Sequence, residues 1–231
     1  MIGPGAGLVV FDLDGTLVDS ATDLASAASA LTEELGGRPL TRSEVIGMVG
    51  EGAAVLVRRA LTAAGVDPGT PGAVDRFLAL YDARLLDTTG LYPGIRAVLD
   101  ALDPLVALAV LTNKPAAPAE RLLAALGVRD YFVEVVGGDG RWPRKPDPAG
   151  LVALRVHARG GPVVMVGDSP VDADTAARAG AAFVLARYGF GATAFGDRVV
   201  TTHVADTPRA LGDVIRTALE SARKIDKVKI C

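Results

Sequence analysis

Four short segments of this 231-residue chain contain the side chains best suited to chemistry. The first contains Asp12 and Asp14, and the others contain Thr112, Lys145 and Asp168. Two acids at positions i and i+2 of an extended segment project to the same side, so both can reach one ligand. Carboxylates with few His or Cys residues nearby suit a hard ion such as Mg²⁺. Hydroxyls, backbone N–H groups and a lysine suit a phosphate, so the set favours a phosphate site with a bound cation.

Each of these segments lies beyond the end of a predicted β-strand. Short apolar runs alternate with helical periodicity, and Gly or Pro stands at nearly every boundary. This alternation predicts an α/β fold with a parallel sheet covered by helices on both faces. Ligands of such a sheet bind at the carboxyl ends of its strands, where these loops meet. The predicted strands are 8–11, 105–111, 132–136, 163–166 and 182–185, and the predicted helices between them are 94–102, 116–126, 148–158 and 171–179.

The region 20–89, called the helical insertion below, has a different pattern. Apolar residues recur there at three- and four-residue spacing, and no clear strand is present. Thr41 followed by Glu44 three residues later is typical of a capping box at a helix start. Because the first strand must join the sheet, we predict a core domain of residues 1–19 and 90–231, with the all-helical insertion spliced in after that strand.

Composition excludes several classes of protein. The chain is 50% hydrophobic with a formal net charge of −3, which argues against intrinsic disorder and against a basic nucleic-acid-binding surface. Its apolar runs are too short to span a bilayer, and the first residues lack the pattern of a signal peptide. The single cysteine, Cys231, excludes an internal disulfide. We therefore expect a cytoplasmic protein with a small-molecule partner and neither a nucleic-acid nor a membrane partner.

Lysine is rare in this chain, which contains 19 arginines and five lysines. Only Lys114 and Lys145 precede the tail 224–231, whose different composition excludes it from the fold prediction. A compact ammonium at position 145 can lie between a phosphate and a carboxylate, where a planar guanidinium fits less well. Lys114 is expected to face solvent. The sole asparagine, Asn113, stands next to it.

The segment 12–20, with the sequence DLDGTLVDS, resembles the first signature of the haloacid dehalogenase-like phosphatase superfamily. Thr112, Lys145 and the segment 167–172 occur in the order of the other three motifs of that superfamily. The resemblance covers residues 7–215 and implies a Rossmann-like parallel core with a helical cap formed by the insertion.

The resemblance also implies roles for individual residues. Asp12 would be the nucleophile that forms an aspartyl-phosphate, Asp14 the general acid and later the general base, and Lys145 the cation that neutralises the pentacoordinate phosphorus. The implied phosphate ligands are Gly15, Thr16, Thr112 and Asn113, together with Lys145. The implied Mg²⁺ ligands are Asp12, Asp14 through its carbonyl, Asp168 and Asp172. Asp172 could instead pair with Lys145.

The presence of Asp14 favours a phosphate monoesterase or phosphomutase over a dehalogenase. Segment 45–61 is similar to the matching part of bacterial phosphoglycolate phosphatases. Gly50 and Gly52 open a helix whose N–H groups could receive a small carboxylate. Arg58 and Arg59 are either a carboxylate clamp or solvated residues. The expected function is hydrolysis of 2-phosphoglycolate. The alternatives are a sugar-phosphate phosphatase or phosphomutase and a catalytically silent binding protein.

Overall fold

The computed structural model describes residues 6–196 and 201–228. Its central sheet contains six strands that pair in parallel, and a separate antiparallel pair lies outside that sheet. The strands are β1 (Leu8–Phe11), β2 (Val18–Asp19), β3 (Gly90–Leu91), β4 (Ala107–Leu111), β5 (Phe132–Val136), β6 (Val163–Gly167), β7 (Ala182–Ala186) and β8 (Val204–Ala205). The order in the central sheet is β5-β4-β1-β6-β7-β8, and β2 pairs with β3.

Helices connect the strands in the alternation that the sequence predicts. Four of them follow one another between β2 and β3, which confirms an all-helical insertion after the first strand of the sheet. The helices are α1 (Ala21–Glu34), α2 (Arg42–Ile46), α3 (Ala53–Ala64), α4 (Ala73–Asp82), α5 (Ile95–Leu102), α6 (Ala116–Ala125), α7 (Ala149–Leu154), α8 (Pro170–Ala179) and α9 (Leu211–Val228). The capping box of Thr41 and Glu44 is present at the start of α2.

The sheet is buried on both faces, as a parallel sheet requires. Alternate residues of β1 enter two different hydrophobic clusters, because successive side chains of a strand point to opposite faces. Val9 and Phe11 belong to the cluster that includes α5, α6, α9 and the helical insertion. Leu8 and Val10 belong to the cluster that includes α7 and α8. The core is therefore a three-layer α/β arrangement.

The two ends of the helical insertion are held together by a buried carboxylate. Asp23, near the start of α1, accepts hydrogen bonds from the backbone N–H and hydroxyl groups of both Thr88 and Thr89. Burial acts to raise the pKa of Asp23, but these hydrogen bonds hold it below its ordinary value. This tie and the pairing of β2 with β3 join the two stretches of chain through which the helical insertion leaves and re-enters the core.

The structure differs from the sequence prediction in a few boundaries. The predicted helix 148–158 is divided into α7 and a 3₁₀ turn, Arg155–Ala158. Helix α9 continues through residues 224–228, part of the tail that the fold prediction left out. None of the described helices combines the length and the apolar character needed to cross a bilayer.

Candidate active site

Three adjacent strands place the candidate residues at one edge of the sheet. Asp12 directly follows β1, Thr112 follows β4 and Asp168 follows β6. Since β1 lies between β4 and β6, the carboxyl ends of these strands converge. The convergence is the one that the sequence predicts, and it follows from parallel strand pairing alone.

Lys145 lies between two carboxylates at this edge. Its Nζ is 2.7 Å from Asp12 Oδ1 and 2.6 Å from Asp172 Oδ1, and its side chain is 3% exposed. Burial acts to lower the pKa of Lys145, but the two carboxylates raise it above its ordinary value. The side chain is therefore a fixed buried cation next to Asp12.

Asp12, Asp168 and Asp172 form a buried acidic cluster in which one oxygen from each lies within 4.8 Å of the others. Burial raises the pKa of Asp12 to about 7, and Lys145 opposes this shift, whereas Asp172 and Asp14 add to it. Burial, together with Asp12 and Asp172, raises the pKa of Asp168 well above its ordinary value.

One ammonium faces these three carboxylates, so the ionised cluster has an excess of negative charge. Buried like charges of this kind are stable only with a counter-charge or after protonation. Oxygen ligands from carboxylates are those that Mg²⁺ prefers. The donor set therefore fits a divalent cation, bound beside Asp12.

Asp168 is held by the loop that follows β1 and by a later turn. Its Oδ2 accepts a hydrogen bond of 2.7 Å from the N–H of Gly191, and its Oδ1 lies 3.4 Å from Thr16 Oγ1. Gly15 has φ of +90°, and a Cβ at this position would overlap the Asp168 carboxylate. Gly15 and Thr16, predicted as phosphate ligands, thus pack against Asp168 in this structure.

Asp172 has both carboxylate oxygens in hydrogen bonds. Oδ1 accepts from Lys145 at 2.6 Å, and Oδ2 accepts from the N–H and the hydroxyl of Ser169 in a capping box that begins α8. Asp172 was expected to be either a Mg²⁺ ligand or the partner of Lys145, and the structure shows the pairing with Lys145 directly. Its carboxylate also remains part of the acidic cluster.

Asp14 points away from the acidic cluster. Its carboxylate accepts hydrogen bonds from Lys114 Nζ at 2.9 and 3.0 Å and from Ser20 Oγ at 2.6 Å. Asp12 and Asp14 therefore face different partners, although both line the same cavity. This separation suits two carboxylates with different chemical tasks.

The prediction that Lys114 faces solvent is wrong. The residue is 7% exposed, and its Nζ contacts Asp14 and lies 2.7 Å from the hydroxyl of Tyr81 on α4. The chain turns sharply after β4, where the N–H of Lys114 donates to Thr112 Oγ1, and the lysine side chain enters the cavity. The rarity of lysine in this arginine-rich chain was the sequence feature that could have indicated a special position for Lys114.

Asn113 joins the helical insertion to the loop of Lys145. Its Nδ2 donates to the carbonyls of Gly50 at 2.9 Å and Lys145 at 3.0 Å, and its Oδ1 accepts from the N–H of Lys145 at 2.9 Å. The sequence predicts phosphate binding by the backbone N–H of Asn113. It does not predict this side-chain bridge, which fixes the position of Lys145.

Replacing Asn113 by alanine is expected to lower the free energy of unfolding by about 2 to 4 kcal/mol, because buried backbone groups lose their partners. Urea denaturation measures this change. The exposed hydroxyl of Thr217, which bonds to a backbone carbonyl within α9, provides a control. Thr217→Ala should change the stability by less than about 0.5 kcal/mol. Equal stability of the Asn113→Ala variant and the wild type would contradict the bridge.

A cavity of about 60 Å³ lies between the helical insertion and the carboxyl edge of the sheet. Its polar wall comes mainly from the core, and its apolar wall comes from α1, α3, α4 and the loop before α3. The polar side chains are Asp12, Asp14, Tyr81, Thr112, Asn113 and Lys114, and the apolar ones include Leu24, Val49, Leu56, Phe77 and Leu78.

The predicted substrate residues of the insertion divide into two groups. Gly50 and Gly52 line the cavity. Arg58 and Arg59 do not line it and are exposed, and Arg59 forms a 2.5 Å ion pair with Glu51. The structure therefore does not bring the suggested arginine clamp to the site. Both arginines lie off the buried face of α3.

Comparisons with known proteins support the family resemblance that the sequence motifs indicate. The model of a family described as haloacid dehalogenase-like hydrolase matches residues 7–180. A phosphoglycolate phosphatase from Rhodospirillum rubrum is 44% identical over 192 residues, which cover 79% of this chain and 80% of the relative. A phosphoglycolate phosphatase from Chromobacterium violaceum is 38% identical over 208 residues, with 86% and 93% covered.

A solved structure has the same fold. The crystal structure of a predicted phosphoglycolate phosphatase from Haemophilus somnus superposes with a TM-score of 0.80 at 29% sequence identity. The match covers 90% of this chain and 97% of that one. The similarity therefore includes both the sheet and the helical insertion.

Proposed function

We propose that this chain, which belongs to the haloacid dehalogenase-like hydrolase family, hydrolyses 2-phosphoglycolate to glycolate and phosphate. The proposed cofactor is Mg²⁺. The observation that supports the reaction most strongly is the position of Asp12. Its buried carboxylate faces Lys145 and the acidic cluster on one side and opens into the same cavity as Asp14.

Asp12 is proposed as the nucleophile of the first step. A carboxylate oxygen of Asp12 forms a bond to phosphorus while the bond from phosphorus to the ester oxygen breaks. Lys145 neutralises negative charge on the equatorial oxygens, with Thr112 and Asn113 as further phosphate ligands. Asp14 delivers a proton to the departing glycolate oxygen.

In the second step water attacks the phosphorus of the aspartyl-phosphate. Asp14, now ionised, accepts a proton from that water, and the bond between Asp12 and phosphorus breaks. Both catalytic carboxylates thereby return to their starting states. Asp12, Asp168 and the carbonyl of Asp14 would hold a Mg²⁺ ion, which would act as a Lewis acid toward the phosphoryl group.

The proposed substrate is a small ester with a carboxylate. Two curated relatives from different bacteria are phosphoglycolate phosphatases. The helical insertion is proposed to act as a cap that excludes water, moving about hinges near 18–20 and 88–93. The predicted cytoplasmic location also remains part of the proposal.

A substrate panel with and without metal tests the proposal. In Mg²⁺ the kcat/KM for 2-phosphoglycolate is expected to exceed that for glucose 6-phosphate by at least about tenfold, the difference made by one charged hydrogen bond. Chelation should abolish turnover, and added Mg²⁺ should restore it. A much larger kcat/KM for a sugar phosphate would overturn the substrate, and full activity in chelator would overturn the cofactor.

A further inference from the structure

Lys114 is the only cation among the described residues that line the cavity. Its ammonium has two partners there, the carboxylate of Asp14 at 2.9 and 3.0 Å and the hydroxyl of Tyr81 at 2.7 Å. Tyr81 is a neutral partner, since burial raises the pKa of its hydroxyl to about 12. The charge of Lys114 is therefore balanced within the cavity by Asp14.

Lys114 is buried, with 7% of its surface exposed, and it lines the cavity. A buried cation is stabilised by anions and by polar groups that accept its hydrogen bonds. A ligand that fills the cavity meets this one positive side chain there. Lys114 would therefore stabilise an anion at the end of the ligand that lies next to it.

A carboxylate on the substrate supplies that anion. The mechanism already uses the phosphate group at Asp12 and Lys145, so the other end of the ester extends into the part of the cavity next to Asp14. The ammonium of Lys114 has three donor positions, and a fixed carboxylate can accept from it as strongly as Asp14 does.

We propose that Lys114 Nζ binds the carboxylate of the substrate. The proposal rests on the proposed function, which supplies the ester. Lys114 is then the residue that selects phosphate esters with a nearby carboxylate. Esters without it gain no contact with Lys114 and react more slowly.

Two matched substrates test this assignment. Ethyl phosphate has the same two-carbon ester as 2-phosphoglycolate but lacks the carboxylate. We expect Lys114→Met to lower kcat/KM for 2-phosphoglycolate by about 10- to 100-fold, the value of a hydrogen bond between charged groups. The kcat/KM for ethyl phosphate should change by less than about threefold. The variant should therefore lose most of the preference for 2-phosphoglycolate over ethyl phosphate.

A purely structural role of Lys114 gives a different result. If the lysine only positions Asp14, turnover of both esters falls by the same factor and the preference is retained, which would overturn the proposal. Arg178→Met, which removes an exposed cation outside the cavity, should leave both values unchanged. A wild type with no preference for 2-phosphoglycolate over ethyl phosphate would also overturn the proposal, whereas a wild type that does not hydrolyse 2-phosphoglycolate would overturn the proposed function.

Binding to an inactive enzyme provides a second readout. Calorimetry on Asp12→Asn and on Asp12→Asn with Lys114→Gln compares affinities for the two esters without turnover, and glutamine keeps a hydrogen-bonding group if methionine prevents folding. The second substitution should weaken binding of 2-phosphoglycolate about tenfold or more and leave ethyl phosphate unaffected. Equal weakening of both esters, or no weakening of either, would overturn the assignment.

Discussion

Replacing Asp12 by asparagine is expected to lower kcat for 2-phosphoglycolate by about four orders of magnitude or more, as for other enzymes that lose a covalent nucleophile. The amide retains the shape of the side chain but is a far weaker nucleophile. It also loses the charge that faces Lys145 at 2.7 Å and the acidic cluster. Release of phosphate under saturating substrate measures the loss.

The control for this variant is an aspartate outside the site. Asp174 on α8 is exposed, so Asp174→Asn should keep kcat within about twofold of the wild type. Circular dichroism of both variants confirms that the fold is retained. Wild-type turnover by Asp12→Asn would exclude this residue as the nucleophile.

Replacing Lys145 by arginine is expected to lower kcat by about 100-fold or more although the charge is retained, the range known for loss of one group that stabilises developing charge. The Nζ atom lies 2.7 and 2.6 Å from two carboxylate oxygens, and the side chain is 3% exposed. A guanidinium is larger and planar and cannot occupy the same point between Asp12, Asp172 and a phosphoryl group.

The same substitution at an exposed lysine provides the comparison. Lys224→Arg changes an exposed side chain on α9 and should leave kcat unchanged. Measurement of kcat and KM for both variants, with thermal unfolding as a check on folding, separates geometry from charge. Near-normal kcat of Lys145→Arg would contradict a requirement for a compact ammonium.

The sheet and its functional edge could be predicted from the sequence because their signals are local. An apolar run such as Leu8–Phe11 must be buried on both faces, and the polar residues that follow it must lie at the strand end. Parallel pairing then brings Asp12, Thr112 and Asp168 together without knowledge of any side-chain contact. The acidic cluster follows from topology in the same way.

The contacts of Lys114 and Asn113 could not be predicted in this way because they depend on how the helical insertion packs. The partner of Lys114 on α4 is 33 residues away, and the partner of Asn113 before α3 is 63 residues away. No local periodicity encodes such contacts. Their residue types, the rare lysine and the sole asparagine, were the only signals.

The exposure of Arg58 and Arg59 could be predicted from the helical spacing of apolar residues in α3. The buried residues of α3 recur at helical spacing and define one face, which includes Leu56, Ala60 and Ala64. The arginines fall outside that face and are exposed. Helical spacing therefore gave a reason to place them in solvent, in agreement with the structure.

The most direct test of the account is a search for phosphorylated Asp12 during turnover of 2-phosphoglycolate. The wild-type enzyme with Mg²⁺ is mixed with substrate and quenched in acid within one turnover, and the peptide that contains Asp12 is analysed by mass spectrometry. We predict that this peptide gains the mass of one phosphoryl group in the wild type and gains none in Asp12→Asn. An unmodified peptide throughout a turnover that releases phosphate, or a phosphoryl group on another residue, would contradict the account.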